Sequence, residues 1–184
     1  MTPGYKIDKS STGYFLTFTV VDWVDVFTRK VYRDIIIDSL KYCRENKGLQ
    51  VWAHVIMTNH MHCILSAKDN NLSVILRDFK RHTASKILKA IASSEESRKD
   101  WMLKRFEFAA KRNVRNGQYQ FWEHDNHAVE LSSAAFTAQK LDYIHLNPVR
   151  AGFVDSASDW IYSSARNYEF KSSIMEIDVM DINF

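Results

Sequence analysis

The chain has too few cysteines for a disulfide framework or for a cysteine-based zinc site. Only Cys43 and Cys63 occur among its 184 residues, and they do not form a C-x-x-C pair. No apolar run approaches the roughly 18 residues that a transmembrane helix needs. The first residues also lack the basic-then-apolar layout of a signal peptide. These absences predict a reduced, cytoplasmic protein that does not cross a membrane.

The residues that are present fit one packed domain with an uneven charge distribution. The chain is 46% hydrophobic and 26% charged, which predicts a globular core rather than disorder. Its net charge is only +3, yet residues 97–116 carry seven cations and two anions. Such a cluster is typical of a nucleic-acid contact surface, but an ordinary solvated helix face would give the same pattern.

The order of predicted elements indicates an α+β fold. Residues rich in β-branched and aromatic side chains predict strands at 14–21, 51–57, 60–67 and 118–124. Apolar residues at helical spacing predict helices at 29–47, 72–93 and 130–146, and a further helix in 93–116. The order strand, helix, strand, strand, helix, strand is that of a ferredoxin-like split βαβ fold. We therefore expect an antiparallel sheet with both crossover helices on one face.

Two helix ends can be predicted from single residues. Gly48 should end the first helix, because glycine readily adopts the left-handed conformation found just after a helix. The helix at 130–146 should end at Asn147, because the residue before a proline, here Pro148, is disfavoured in the α region.

His60 and His62 lie two residues apart in the predicted third strand. Alternate strand residues share a face, so the two imidazoles should project together. Met61, Cys63 and Leu65 form the apolar set that should pack under the crossover helices. The histidines then project from the open face, where two adjacent imidazoles can bind one divalent ion. Two half-exposed histidines without a ligand role are the alternative.

Tyr143 and Asn147 are one helical turn apart on the helix that follows the fourth strand. This helix is not a crossover helix, so it is free to cross the open face of the sheet. An amide oxygen can complete the protein ligands of a metal ion, and a phenol is a nucleophile, which together suit metal-assisted phosphodiester cleavage. A core aromatic and a helix-end amide are the alternative. Tyr42 and Asn46 have the same spacing, but their helix should cover the opposite face.

These motifs carry a resemblance to a known family. His60-Met61-His62 resembles the His-hydrophobic-His motif of the HUH endonucleases. The stretch 143–152, YIHLNPVRAG, resembles the helix-end signature of single-tyrosine insertion-sequence transposases, especially the REP-associated tyrosine transposases. The similarity runs from about residue 14 to 168. We therefore assign residues 1–168 to a single HUH transposase-like catalytic domain and residues 169–184 to an acidic C-terminal tail.

The resemblance implies a ferredoxin-like fold with an added tyrosine-bearing helix over the open face. It implies a transposase, a site-specific single-strand DNA endonuclease that acts in DNA transposition or in mobilisation of REP elements. By this resemblance Tyr143 is the nucleophile, which would form a 5′-phosphotyrosine intermediate. His60, His62 and Asn147 would bind the metal, expected to be Mg²⁺ or Mn²⁺. Two residues depart from the family pattern, since Thr58 stands where a proline is frequent and His54 where an aromatic is frequent.

The expected partner is single-stranded DNA, flanked by a hairpin, and the protein is expected to act as a monomer or a homodimer. The candidate phosphate contacts are nine cations, namely Arg77, Lys80, Arg81, Lys104, Arg105, Lys111, Arg112, Arg115 and Arg150. Aromatic residues that could stack on bases are Trp101, Tyr119 and Trp122, although core packing is the favoured role for each.

Two alternative functions can be compared with the sequence. A non-catalytic, domesticated protein of the same fold would bind a nucleic-acid hairpin without cutting it. A metal-free phosphoesterase would need two H-x-T/S motifs, and the sequence contains none.

Overall fold

The computed structural model describes residues 13–69, 71–112 and 117–180. Its sheet has four antiparallel strands in the order β2-β3-β1-β4. The strands are β1 (Tyr14–Thr19), β2 (Leu49–Ile56), β3 (His60–Ala67) and β4 (Val129–Glu130). This mixed architecture confirms the predicted α+β fold with an antiparallel sheet.

The edge beside β1 is less regular than the predicted strand at 118–124. Within residues 118–124, Trp122 alone forms a β-bridge, and its partner is Val20, the residue after β1. The regular strand β4 begins later, at Val129. Phe121 and Trp122 are consecutive, yet both are buried in the same core. Since a regular strand points consecutive side chains to opposite faces, burying both in one core distorts this segment.

The two crossover helices cover one face of the sheet, as predicted. They are α1 (Lys30–Lys47) and α2 (Leu72–Ser93), and α3 (Lys99–Lys111) packs beside α2. Beneath them lies the main core, which includes Met61, Cys63 and Leu65 of β3. Gly48, with φ +68°, ends α1 as predicted and donates its backbone N–H to the Cys43 carbonyl.

Helix α4 (Ala134–Arg150) crosses the other face of the sheet. Its Leu141 and Ile144 form a second, smaller core with β-strand residues that include Phe15, Val55 and Ile64. The helix begins after Ser133, whose hydroxyl accepts the backbone N–H of Phe136. The sheet therefore has helices on both faces, and the histidines of β3 lie on the side of α4.

The predicted end of α4 at Asn147 is wrong, because the helix continues through Pro148 to Arg150. The proline removes one helical hydrogen bond. A glycine motif stabilises the turn that follows: Gly152, at φ +72°, donates to the Val149 carbonyl, and Phe153 donates to the Pro148 carbonyl. This pair of bonds is a Schellman motif, which satisfies the last carbonyls of a helix.

The segment after α4 returns to the outer edge of β2. It contains the short helix α5 (Ala165–Tyr168), and Met175 beyond it is buried in the main core. Asp178 donates its backbone N–H to the Val51 carbonyl at 2.8 Å, and its carboxylate accepts the Val51 N–H at 2.9 Å. Arg44 of α1 holds the same carboxylate at 3.4 Å. Of the predicted acidic tail, residues 169–180 are described and pack against the domain.

No helix within these three described ranges combines the length and apolar character that crossing a bilayer requires.

Candidate active site

The pairing of β1 with β3 places Thr17 opposite His62 at the centre of the sheet face that α4 crosses. The ring centroids of His60 and His62 are 4.7 Å apart. His62 is only 6% exposed because Phe15 and Tyr143 pack on its ring, whereas His60 is half-buried at the rim. The two imidazoles are therefore side by side, as the strand alternation predicted.

Each imidazole is oriented through its Nδ1 atom. The Thr17 hydroxyl lies 2.8 Å from Nδ1 of His62, and the Asn59 side-chain oxygen lies 2.6 Å from Nδ1 of His60. The Asn59 amide nitrogen donates to the Trp23 carbonyl at 3.3 Å, which turns the amide oxygen toward His60. His60 then donates from Nδ1, and His62 can do the same to Thr17. In these tautomers both Nε2 atoms carry a lone pair, which is the arrangement typical of metal-binding histidines.

Both imidazoles are held in the neutral form. Burial lowers the pKa of His62 from 6.5 to about 3, and the nearby His60 and Lys140 add to this effect. Burial also lowers the pKa of His60. A neutral imidazole is the form that binds a metal ion, so no proton has to leave at neutral pH.

Tyr143 reaches the same site from α4. Its hydroxyl is 3.5 Å from Nε2 of His62, and its ring contacts His62 and Phe15 with centroids 5.1 and 5.9 Å apart. The side chain is 36% exposed, so it is not an interior aromatic. One chain alone thus brings the phenol and both imidazoles together.

Asn147 and Arg150 follow Tyr143 at one and two turns along α4, and the helix continues through Pro148 to include both. Residues at these spacings share one side of a helix. Asn147 is half-buried, and the guanidinium of Arg150 lies 5.9 Å from the centre of the Tyr143 ring. The residues that the structure describes include no group of three or more His, Cys, Asp or Glu side chains able to hold a metal. Any ion here would rely on the two imidazoles together with oxygen ligands.

Lys140 is a site residue that the sequence analysis did not identify. Its ammonium lies 4.6 Å from the ring centre of Phe15, 5.2 Å from that of Phe136 and 5.8 Å from that of Tyr143. This places a cation one turn before the phenol. Helical spacing was the available signal, because residues 140 and 143 are i and i+3.

The candidate phosphate contacts fall into two groups. Arg150 lies on α4 beside the phenol, whereas those described on α2 and α3 lie on the opposite side of the sheet. Several of these are ion-paired: Arg77 and Arg81 with Asp78, Lys111 with Glu107, and Arg112 with Asp22. Lys104 and Arg105 are exposed on α3, with Arg105 against the Trp101 ring. Arg115 lies outside the described residues.

Lys80 uses its ammonium group within the chain. It donates to the carbonyls of Glu123 and His124 and to the side-chain oxygen of Asn126, at 2.6, 3.2 and 2.7 Å. Burial lowers its pKa to about 8. Lys80 thus holds the irregular edge segment to α2. Trp122 is likewise an interior residue, since it is buried and its ring N–H donates to Thr83.

A second pair of histidines lies near α4, away from the phenol. His145 of α4 contacts the Ser164 hydroxyl through Nε2 at 2.9 Å, and Ser164 donates to the His54 carbonyl at 3.2 Å. His54 is 1% exposed, and burial lowers its pKa to about 3 with a further contribution from His145. Burial lowers the pKa of His145 to about 4. The extra imidazole at position 54 is therefore an interior group.

Comparison with known proteins agrees with this geometry, although no family model matches the chain. A putative REP-associated tyrosine transposase of Haemophilus influenzae is 25% identical over 163 residues, 87% of this chain and 84% of that protein. The REP-associated tyrosine transposase of Escherichia coli is 25% identical over 124 residues, 66% of this chain and 57% of that protein. A solved structure of a REP-associated tyrosine transposase bound to a REP hairpin matches with a TM-score of 0.60 and 20% identity. That match covers all of this chain and 94% of the other, and shows a common fold.

Sequence homology and fold together relate the chain to the transposase family. Its relatives are REP-associated tyrosine transposases, which confirms the resemblance to that family.

Proposed function

We propose that the protein is a metal-dependent endonuclease and strand transferase for single-stranded DNA, acting in DNA transposition or in mobilisation of REP elements. The observation that carries this proposal is the 3.5 Å approach of the Tyr143 hydroxyl to Nε2 of His62, beside His60. The names of the relatives support a DNA-processing enzyme. The structural neighbour is bound to a REP hairpin, which supports a hairpin-flanked substrate.

The site fits a divalent cation such as Mg²⁺ or Mn²⁺. His60 and His62 would hold it through Nε2, and the Asn147 amide, water and a substrate phosphate would supply oxygen ligands. Imidazole is a softer ligand than Mg²⁺ prefers, which favours Mn²⁺. When bound, the ion would polarise the scissile phosphate and stabilise the departing 3′ oxygen, a contribution of several kcal/mol.

The Tyr143 oxygen would attack the scissile phosphorus while the bond to the 3′ oxygen breaks. The products are a 5′-phosphotyrosine link and a free 3′ hydroxyl, so the number of phosphodiester bonds is conserved and the step can run backward to join strands. The phenol loses its proton as the new bond forms, and the departing 3′ oxygen gains one, so protons balance as well. Lys140 and Arg150, the cations beside the phenol, would hold the anionic phosphate against it.

The test is a denaturing gel of protein incubated with Mn²⁺ and pooled single-stranded oligonucleotides that contain hairpins. We expect wild type to form a covalent adduct, and Tyr143→Phe to bind the same DNA without forming one. Tyr42→Phe is the matched control, because Tyr42 has the same spacing to an asparagine but lies on α1, across the sheet. An adduct from Tyr143→Phe would assign the nucleophile to another residue. Binding without an adduct by wild type would favour the non-catalytic alternative.

A further inference from the structure

Trp23 is a large aromatic side chain that the fold leaves in solvent beside the histidines. It is 64% exposed, while Val21 and Val24 in the same turn are buried. Its ring meets the His60 ring edge-on, with centroids 5.9 Å apart at 71°. The turn thus places its valines in the core and its indole at the rim of the candidate metal site.

The backbone of this turn is held in an uncommon conformation. Asp22 and Trp23 both have positive φ, at 51° and 54°, which is rare for residues with a side chain. Such conformations cost free energy and persist only where surrounding contacts enforce them. The structure therefore stabilises a turn that exposes an indole.

Three contacts enforce the turn. The Trp23 N–H donates to the Val20 carbonyl at 3.1 Å, and the Arg112 guanidinium pairs with the Asp22 carboxylate at 2.9 Å. The Asn59 amide nitrogen donates to the Trp23 carbonyl while its oxygen accepts from His60. Asn59 therefore links the backbone of Trp23 to the His60 ring, which keeps the turn next to the imidazole.

The exposed indole of Trp23 is suited to bind an unpaired base. An exposed indole is a stacking platform for any base, and such contacts are common in proteins that bind single strands. A strand whose phosphate lies between His60 and Tyr143 would have its neighbouring bases at the rim, where Trp23 stands.

We propose that Trp23 stacks on an unpaired base next to the scissile phosphate and so sets where the strand enters the site. This inference rests on the proposed function for its ligand, single-stranded DNA. Trp23 acts here as a binding residue, and Tyr143 remains the nucleophile for cleavage.

The experiment measures DNA binding alone. It uses fluorescence anisotropy with a chelator present and the Tyr143→Phe background, so that cleavage cannot contribute. Substrates are the hairpin oligonucleotide that binds most tightly in the pooled set and copies of it with one abasic position moved along the single strand. We expect Trp23→Ala to weaken binding of the intact strand roughly 5- to 150-fold, the range of a base–aromatic stack. One abasic position should weaken binding by the Trp23-containing protein by a similar factor and leave binding by Trp23→Ala unchanged.

The controls separate stacking from misfolding. Tyr42→Ala removes another exposed aromatic, on the opposite side of the sheet, and should bind like the parent protein. Trp23→Phe keeps an aromatic face and should retain most of the affinity. The fluorescence of 2-aminopurine at the sensitive position should be quenched by the protein that keeps Trp23 and not by the Trp23→Leu variant.

The outcomes also separate this inference from the proposed function. If strands bind but no abasic position distinguishes the parent from Trp23→Ala, the stacking role is wrong while cleavage by Tyr143 can still stand. If coupling to Trp23 appears and no oligonucleotide ever forms an adduct, the stacking role stands and the nuclease proposal fails. Absence of any strand binding overturns both, and points to a protein partner for the exposed indole.

Discussion

Two pairs of imidazoles lie near α4, and they differ in what their ring nitrogens contact. His60 and His62 each use Nδ1 on a neighbouring side chain, and Nε2 of His62 faces the Tyr143 hydroxyl. His145 instead uses Nε2 on Ser164, and neither ring nitrogen of His54 has a hydrogen-bond partner among the described residues. Burial lowers the pKa of all four. Burial and a low pKa are therefore common to both pairs, and what distinguishes the first pair is its position beside the Tyr143 hydroxyl.

The largest effect expected from this difference is on metal-dependent cleavage. His60→Ala should slow Mn²⁺-dependent adduct formation by roughly 100-fold or more, because several kcal/mol of phosphate polarisation would be lost. His145→Gln keeps an N–H donor toward Ser164 and should slow the reaction by less than about tenfold. Single-turnover adduct formation measures both rates. Equal losses would mean that the two pairs do not differ in function.

The second expected effect is on the pH dependence of stability. In the unfolded chain His54 has its ordinary pKa of 6.5, and in the fold that value is about 3. Below pH 6.5 the unfolded state therefore binds a proton that the folded state does not, so the free energy of unfolding decreases as pH falls. One such histidine contributes a slope of up to about 1.4 kcal/mol per pH unit.

His54→Leu should remove that contribution. Urea unfolding at pH 7, 6 and 5 should then show a shallower loss of stability, by about 2 kcal/mol across this interval. His82→Ala, at an exposed position on α2, serves as the control and should leave the slope unchanged. An unchanged slope in His54→Leu would show that this imidazole is not held neutral by the fold.

The smallest expected effect tests the hydrogen bond that orients His62. Thr17→Val keeps the shape of the side chain and removes the hydroxyl that lies 2.8 Å from Nδ1. Loss of such an orienting contact typically costs about 10- to 100-fold in metal affinity or activity. We expect the midpoint of a Mn²⁺ titration of adduct formation to rise within this range, while the free energy of unfolding decreases by about 0.5–1.5 kcal/mol. A shift in stability with no change in metal dependence would contradict the orienting role.

The face of each residue in β3 could be predicted because strand alternation is a local property. His60 and His62 on one side and Met61 and Cys63 on the other follow from it, and the structure has both sets where expected. The choice of Tyr143 over Tyr42 followed from topology, since only a helix outside the two crossovers can reach the histidine face. The resemblance to transposases supplied the expected role of each residue, and the structure supplied the distances between them.

The features that could not be predicted depend on contacts between distant segments. His62 was predicted to project from the open face of the sheet, but α4 and Phe15 cover it almost completely. The end of α4 was predicted wrongly because the prediction used the effect of Pro148 on its preceding residue and left out the glycine motif at Gly152. Lys80 was predicted to contact phosphate, because nothing local shows that the segment near Glu123 would accept its hydrogen bonds. The exposure of Trp23 was not predicted, because it depends on the conformation of a non-helical turn.

The contact between Asp178 and Val51 has a consequence for how the protein behaves at high concentration. An outer strand with free amide and carbonyl groups is a template onto which a strand of another molecule can add. On β2, Asp178 satisfies both backbone groups of Val51, one with its main chain and the other with its carboxylate. These contacts cover part of this edge and should hinder a strand of another molecule from adding to β2.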